Sequence, residues 1–166
     1  MFFEFIFQDW KVNSGKGRMI LLLFRIANFC AKRQIYYYLG IPYLIFYRIF
    51  VEWILGIEIP WNIIAGENMR IFHGQSLVIN RDVIIGKNCT LRHCTTIGNK
   101  QLAGGRFSAS PILGDNVDVG SNACIIGDIS IGDNVKIGCG AVVTKNVRQN
   151  SVVVGNPAVE KSRAEI

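Results

Sequence analysis

The chain has 166 residues, half of them apolar, with 18 Lys and Arg against 12 Asp and Glu for a formal charge of +6. That suits one domain with an appendage, and five cysteines, odd in number and without a Cys-x-x-Cys pair, indicate neither a disulfide framework nor a zinc site. The basic excess lies in residues 1–56, and the remainder shows no basic stripe interleaved with aromatics, so nucleic acid is not the expected partner.

The first ten residues lack a basic n-region and carry Glu4 and Asp9, so they do not read as a secretory signal. Residues 19–33 hold strong helix formers and end in Lys32 and Arg33, and a second helix is expected from Pro42 to Leu55. The uncharged run Gln34 to Tyr47 is too short to span a bilayer. Capping of a solenoid or joining of subunits is the expected use of these helices. The alternative is peripheral membrane contact, which the dense aromatics with Arg25, Lys32 and Arg33 would suit.

From Leu113 onward, Val119, Ile125, Ile131, Ile137 and Val143 follow at six-residue steps, and Gly114, Gly120, Gly132 and Gly138 stand directly after four of these rungs. Asn116, Asn122, Asp128, Asn134 and Gly140 fall three residues past a rung, where a tight corner requires left-handed backbone. Val117, Ala123, Ile129, Val135, Ala141 and Val147, one residue further on, would share the interior with the rungs. This is the pattern of a parallel β-helix built from hexapeptides. Upstream the ladder continues as Ile79, Ile85, Leu91 and Ile97, with Val83, Cys89 and Thr95 inside; before it come Ile59, Ala65 and Ile71.

The ladder breaks twice. Ile97 and Leu113 are sixteen residues apart where twelve would keep phase, which predicts an extruded loop over 99–111. Ile71 and Ile79 are eight apart, a two-residue insertion that contains His73. A regular scaffold needs only its repeat, so departures from it are where function is expected. The two histidines, His73 and His93, are twenty residues apart; less the insertion this is eighteen, one turn of a three-sided coil. The imidazoles should therefore lie on adjacent coils, about 5 Å apart. His73 reads as a general base, and Glu58 as the acidic group that orients it. Two histidines without clustered cysteines do not make a metal centre, and none is expected.

Together, Gly56-Ile-Glu-Ile-Pro60, Ile71-Phe-His-Gly74, Leu91-Arg-His-Cys-Thr-Thr-Ile-Gly98, the Gly-rich loop, the late repeats and Val153-Val-Gly-Asn-Pro-Ala158 resemble the hexapeptide-repeat O-acyltransferases of the serine acetyltransferase type. Among these, the acetyltransferases of exopolysaccharide biosynthesis, such as the colanic acid enzymes, are the most similar. The resemblance covers roughly Leu55 to Val159, and Phe24 to Ala27 extends it. It implies an all-β solenoid, a left-handed parallel β-helix with an N-terminal α-helical segment, where the general rule for parallel crossovers predicts right-handed turns. It also implies a homotrimer with acetyl-CoA as co-substrate in the groove between subunits. By position, His73 matches the catalytic base and Glu58 its acidic partner; Gly98, Asn99, Ser121, Lys136 and Cys139 match positions near the coenzyme. His93 and Arg92 are assigned to the acceptor. Where serine acetyltransferases carry Arg-His before the proline that closes the loop, this chain reads Ala109-Ser110-Pro111, so an amino acid carboxylate loses its partner.

The organisation expected is a helical segment at 1–56, a β-helix at 57–148 and a C-terminal strand and tail at 149–166. The expected activity is acetyl-CoA-dependent O-acetylation of a sugar or polysaccharide precursor, in the cytoplasm or at the inner face of its membrane. Serine O-acetylation and a non-catalytic trimeric scaffold are the alternatives.

Overall fold

The computed structural model describes residues 2–32 and 34–161. Arg33 and the end of the expected tail, 162–166, lie outside the described residues. Three helices come first: α1 (Phe2–Phe7), α2 (Gly15–Ala31) and α3 (Gln34–Tyr47), the last running on into a π-helical stretch at Arg48–Ile54. The expected second helix thus begins eight residues earlier, and Pro42 lies inside it. α2 buries Gly17, Ile20, Leu21, Phe24, Arg25, Ala27 and Asn28, a three-and-four spacing that lays one stripe on the solenoid's open end.

Arg25 is a correction. It does not face an interface but is fully buried, its Nε donating to Asp9 Oδ2 at 2.7 Å and its Nη1 to the Ala65 carbonyl at 2.9 Å. Asp9 Oδ1 accepts from the Met69 N–H at 2.8 Å, so the pair joins the N-terminal segment to the first coil. Asn13 repeats the device, its Oδ1 accepting from the Ile71 N–H and its Nδ2 donating to the Met69 carbonyl. α3 is different: Leu44 and Tyr47 are buried, while Ile35, Tyr38, Leu39 and Ile45 are exposed. No helix among the described residues is long and apolar enough to cross a membrane.

Twelve strands then wind around three faces. Face I holds β1 (Ile64–Ala65), β4 (Ile84–Ile85), β7 (Ile112–Leu113) and β10 (Ser130–Ile131); face II holds β2 (Arg70–Phe72), β5 (Thr90–Arg92), β8 (Asp118–Val119) and β11 (Lys136–Ile137); face III holds β3 (Val78–Ile79), β6 (Thr96–Gly98), β9 (Cys124–Ile126) and β12 (Val142–Val143). All pair in parallel with the coils above and below, giving the left-handed β-helix. An antiparallel pair, β13 (Val152–Val154) with β14 (Val159–Lys161), closes face II. Rung and interior residues are buried together in one continuous cluster with α2, including Ile71, Ile97, Val119, Val135 and Cys89. Gly66 shows why glycine follows the rungs of face I: a Cβ there would stand 2.6 Å from the Gly86 backbone one coil on.

Two of the three corners use left-handed backbone. Asn68, Asn88, Asn116, Asn134 and Asn150 turn face I into face II at φ near 60°, and Ser76, Cys94, Asn122 and Gly140 turn face II into face III. The third corner has no such repeating position: Asp128, expected in this conformation, does not adopt it, and its neighbour Gly127 takes a positive φ of 108° instead. The long loop is also larger than phase suggested. Ile79 pairs with Ile97 and Ile85 with Leu113, so a single six-residue step separates Ile97 from Leu113. Ten residues, not four, are therefore extruded, and the loop folds back on itself where Gln101 bridges Phe107.

Candidate active site

The two-residue insertion falls at the corner between faces II and III. Phe72 still pairs with Arg92, which puts His73 opposite His93. Beyond the insertion the Cys94 N–H donates to the Gln75 carbonyl, and Ser76 takes the left-handed position of Cys94. Gln75 thus resumes the regular corner, and His73 with Gly74 are pushed out of it. His73 is exposed at φ 69° and Gly74 follows at φ 76°. A non-glycine residue in that region stores about 1–3 kcal/mol of strain.

The histidine rings stand 5.7 Å apart between centroids and at 79° to one another. His93 is half-buried, and its Nδ1 is buried without a hydrogen-bond partner. Continuing the register of β5, β8 and β11, His93 is followed coil by coil by Ser121 and Cys139. Ser121 Oγ donates to Cys139 Sγ at 3.4 Å, and hydrogen bonds from Ser121, helped by the charge of Arg92, hold the Cys139 thiol below its ordinary 9.0. Arg92 Nη1 donates to Asp118 Oδ1 and to the Val119 carbonyl, and Lys136 is Asp118's exposed neighbour on the next coil.

Three expected residues stand apart from this column. Glu58 lies on the first coil of face III, bridged through its backbone to Val78. Its side chain is exposed and makes no hydrogen bond to either histidine. Gly98 and Asn99 lie at the other end of the face III strand. Pairing of Gly98 with Ile126 commits the Gly98 N–H to the sheet, while Asn99 makes no hydrogen bond among the described residues. No cluster of three or more His, Cys, Asp or Glu among the described residues is arranged to hold a metal.

Sequence reasoning passed over Lys16, Arg70 and Phe72, which crowd the same turn. Arg70 and Phe72 point outward from β2 as residues i and i+2, and Phe72 sits opposite Arg92, so the register of the repeat carried the signal. Lys16 could not be read, because the N-terminal segment brings it there.

The family described as bacterial transferase hexapeptide (six repeats) matches residues 110–145. A protein of Escherichia coli named as an acetyltransferase of colanic acid biosynthesis, WcaB, is 37% identical over 165 residues, spanning 96% of this chain and 98% of that one. A serine acetyltransferase of Helicobacter pylori is 34% identical over 144 residues, 86% of this chain and 79% of its own. The solved structure of serine acetyltransferase isoform 3 from Entamoeba histolytica, in complex with cysteine, matches with a TM-score of 0.73 at 27% identity, over 91% of this chain and 57% of that one. The soybean apoenzyme gives 0.67 at 26%, over 87% and 57%. This chain spans little more than half the length of those solved enzymes, and nearly all of its colanic acid relative. Repeat, relatives and fold together make the chain a member of the hexapeptide-repeat acetyltransferases.

Proposed function

We propose that the chain moves an acetyl group from acetyl-CoA to a hydroxyl of a sugar or polysaccharide precursor, with His73 as general base. The observation that carries the reading is the insertion that lifts His73 out of an otherwise regular corner, at positive φ, beside the second imidazole of the chain. Acetyl-CoA supplies a thioester carbonyl and a thiolate leaving group. The run of small side chains from Ser121 to Cys139, with Lys136 beside it, suits a narrow pantetheine arm and a phosphate.

Neutral His73 takes the proton of the acceptor hydroxyl as that oxygen attacks the carbonyl. The imidazolium then returns the proton to sulfur as the C–S bond breaks, so no acyl-enzyme forms. Glu58, without a side-chain hydrogen bond among the described residues, orients His73 and steadies its charge once the acceptor closes the site, since such hydrogen bonds often tighten only in the complex. The oxyanion donor is the Asn99 N–H, because that of Gly98 is spent in the sheet; such a donor is worth about 3 kcal/mol. A whole strand of face III separates Asn99 from the histidines, so the complete site needs a neighbouring protomer. A homotrimer meets that need.

The sugar reading is favoured over serine by the full-length match to the colanic acid relative. Ser110, which stands where serine acetyltransferases have histidine, is buried and donates to Asn80 Oδ1 at 3.0 Å. The test is thiol release from acetyl-CoA against serine and a panel of glycosides. Release with glycosides supports the reading, serine-dependent release replaces it, and failure to bind acetyl-CoA leaves a scaffold.

A further inference from the structure

Three cations gather at the histidine turn with one carboxylate among them. Phe72, 41% exposed, has the Arg92 guanidinium carbon 5.6 Å and the Arg70 guanidinium carbon 5.8 Å from its ring centroid. Arg92 is held through Nη1 alone by Asp118 and Val119. Arg70 is positioned by its Nε, which donates to the Val12 carbonyl at 2.9 Å, and it has no carboxylate partner among the described residues. Lys16 comes from the start of α2: with the Gln75 amide turned to satisfy both neighbours, Gln75 Nε2 donates to the His73 carbonyl at 2.8 Å and its Oε1 accepts from Lys16 Nζ at 3.1 Å. Lys16 too has no ion pair among the described residues.

Like charges repel, and a folded chain collects them against a common anion or at a loss. The ring of Phe72 holds both guanidinium groups within cation–π range, which fixes their separation without neutralising them. Arg70 and Lys16 therefore lack a counter-charge at the edge where the general base is presented. The coenzyme column runs the other way from His93, toward Ser121 and Cys139, so the vacant positive field belongs to the acceptor side.

We propose that the acceptor is an anionic glycoside, whose carboxylate or phosphate is held by Arg70 and Arg92 with Lys16 while a hydroxyl of the same molecule faces His73. This rests on the acetyl-transfer reading above, and it narrows the acceptor to sugars bearing a uronate or a phosphate group. Both sources offer the guanidinium a planar or tripodal set of oxygens.

The experiment is saturation-transfer difference NMR on the full chain, titrated with methyl β-glucuronide, glucose 1-phosphate and methyl β-glucoside in turn. At least one anionic probe should bind about ten-fold or more tighter than the neutral one, and which of them does so identifies the anion. Arg70→Gln should weaken the anionic probe about ten- to a hundred-fold and leave the neutral one unchanged, with Arg70→Lys restoring part of the loss. Lys16→Gln serves as a second variant should Arg70→Gln fail to fold. Equal affinity for charged and neutral probes overturns the inference. So does an Arg70→Gln effect on acetyl-CoA affinity in place of the glycoside's, which would assign the cations to the coenzyme. Binding needs no turnover: anionic selectivity without thiol release would sink acetyl transfer and leave this site standing, whereas equal thiol release with neutral glycosides would do the reverse.

Discussion

The imidazoles of His73 and His93 meet edge to face, 5.7 Å apart, although the insertion has taken one of them out of the ladder and left the other in it. The two should divide in kinetics as they do in position. His73→Ala lowers turnover by about two to four orders of magnitude if it removes the general base. Its ring is exposed apart from the edge-to-face contact with His93, so circular dichroism and the melting temperature stay near those of the parent. His93→Ala removes a buried nitrogen that has no partner, so it too leaves stability nearly unchanged. Near-parental turnover in His73→Ala, measured by thiol release, excludes the assignment.

The thiol of Cys139 is exposed, and its hydrogen bond from Ser121 favours the thiolate. Iodoacetamide should therefore alkylate Cys139 with a pH midpoint below the ordinary 9.0, and Ser121→Ala should move that midpoint upward. Saturating acetyl-CoA should slow the same reaction by about ten-fold or more if the coenzyme follows this column. Labelling by peptide mass spectrometry reads both effects. Unchanged labelling with coenzyme present would remove Ser121 and Cys139 from its site.

The repeat was legible because each strand is two or three residues long and two side chains in every six, the rung and the residue four past it, are dictated by their place in the coil. Interior positions such as Val117 and Cys89 carry that signal without help from distant chain. The spacing of His73 and His93 was readable for the same reason, since coil length converts directly into sequence separation. The depth of the 99–111 insertion was not, because phase is counted in sixes and ten extra residues with one corner resemble four extra with two. Nor was the N-terminal docking. Asp9 and Arg25 are sixteen residues apart and satisfy backbone groups of Ala65 and Met69, a long-range closure with no local pattern. Lys16 reaches the site only through that closure.

Because the Arg25 and Asp9 side chains are 0% and 3% exposed, neither can be rehydrated in the folded state when the other is lost. Asp9→Asn or Arg25→Leu alone should cost about 3–5 kcal/mol in urea unfolding, through the uncompensated partner. The double variant Asp9→Asn with Arg25→Leu should cost clearly less than the two single losses combined. Additive losses would mean that the carbonyl and N–H contacts to the first coil, and not the ion pair, carry the docking.

Alkali should find Cys89. This thiol is fully buried on an interior position, donates to the Gly114 carbonyl at 3.2 Å, and is pushed up to about 11 from 9.0, first by desolvation and then by the carboxylates of Asp115 and Asp133. The fold thus prefers the neutral thiol while the unfolded chain ionises near pH 9. The contribution is fully present below that value and lost as pH rises toward 11. By pH 10.5 the loss should reach about 2 kcal/mol, which scales with the difference in pKa at about 1.4 kcal/mol per unit. Tyr47, buried and raised by desolvation, adds a loss of the same sign at higher pH. Cys89→Ala isolates the thiol: its urea midpoint should fall less between pH 8 and 10.5 than the parent's, by the equivalent of that difference. If the two proteins lose stability in parallel across this range, the thiol ionises at the same pH in the folded and unfolded chain, and the alkaline sensitivity belongs to other groups.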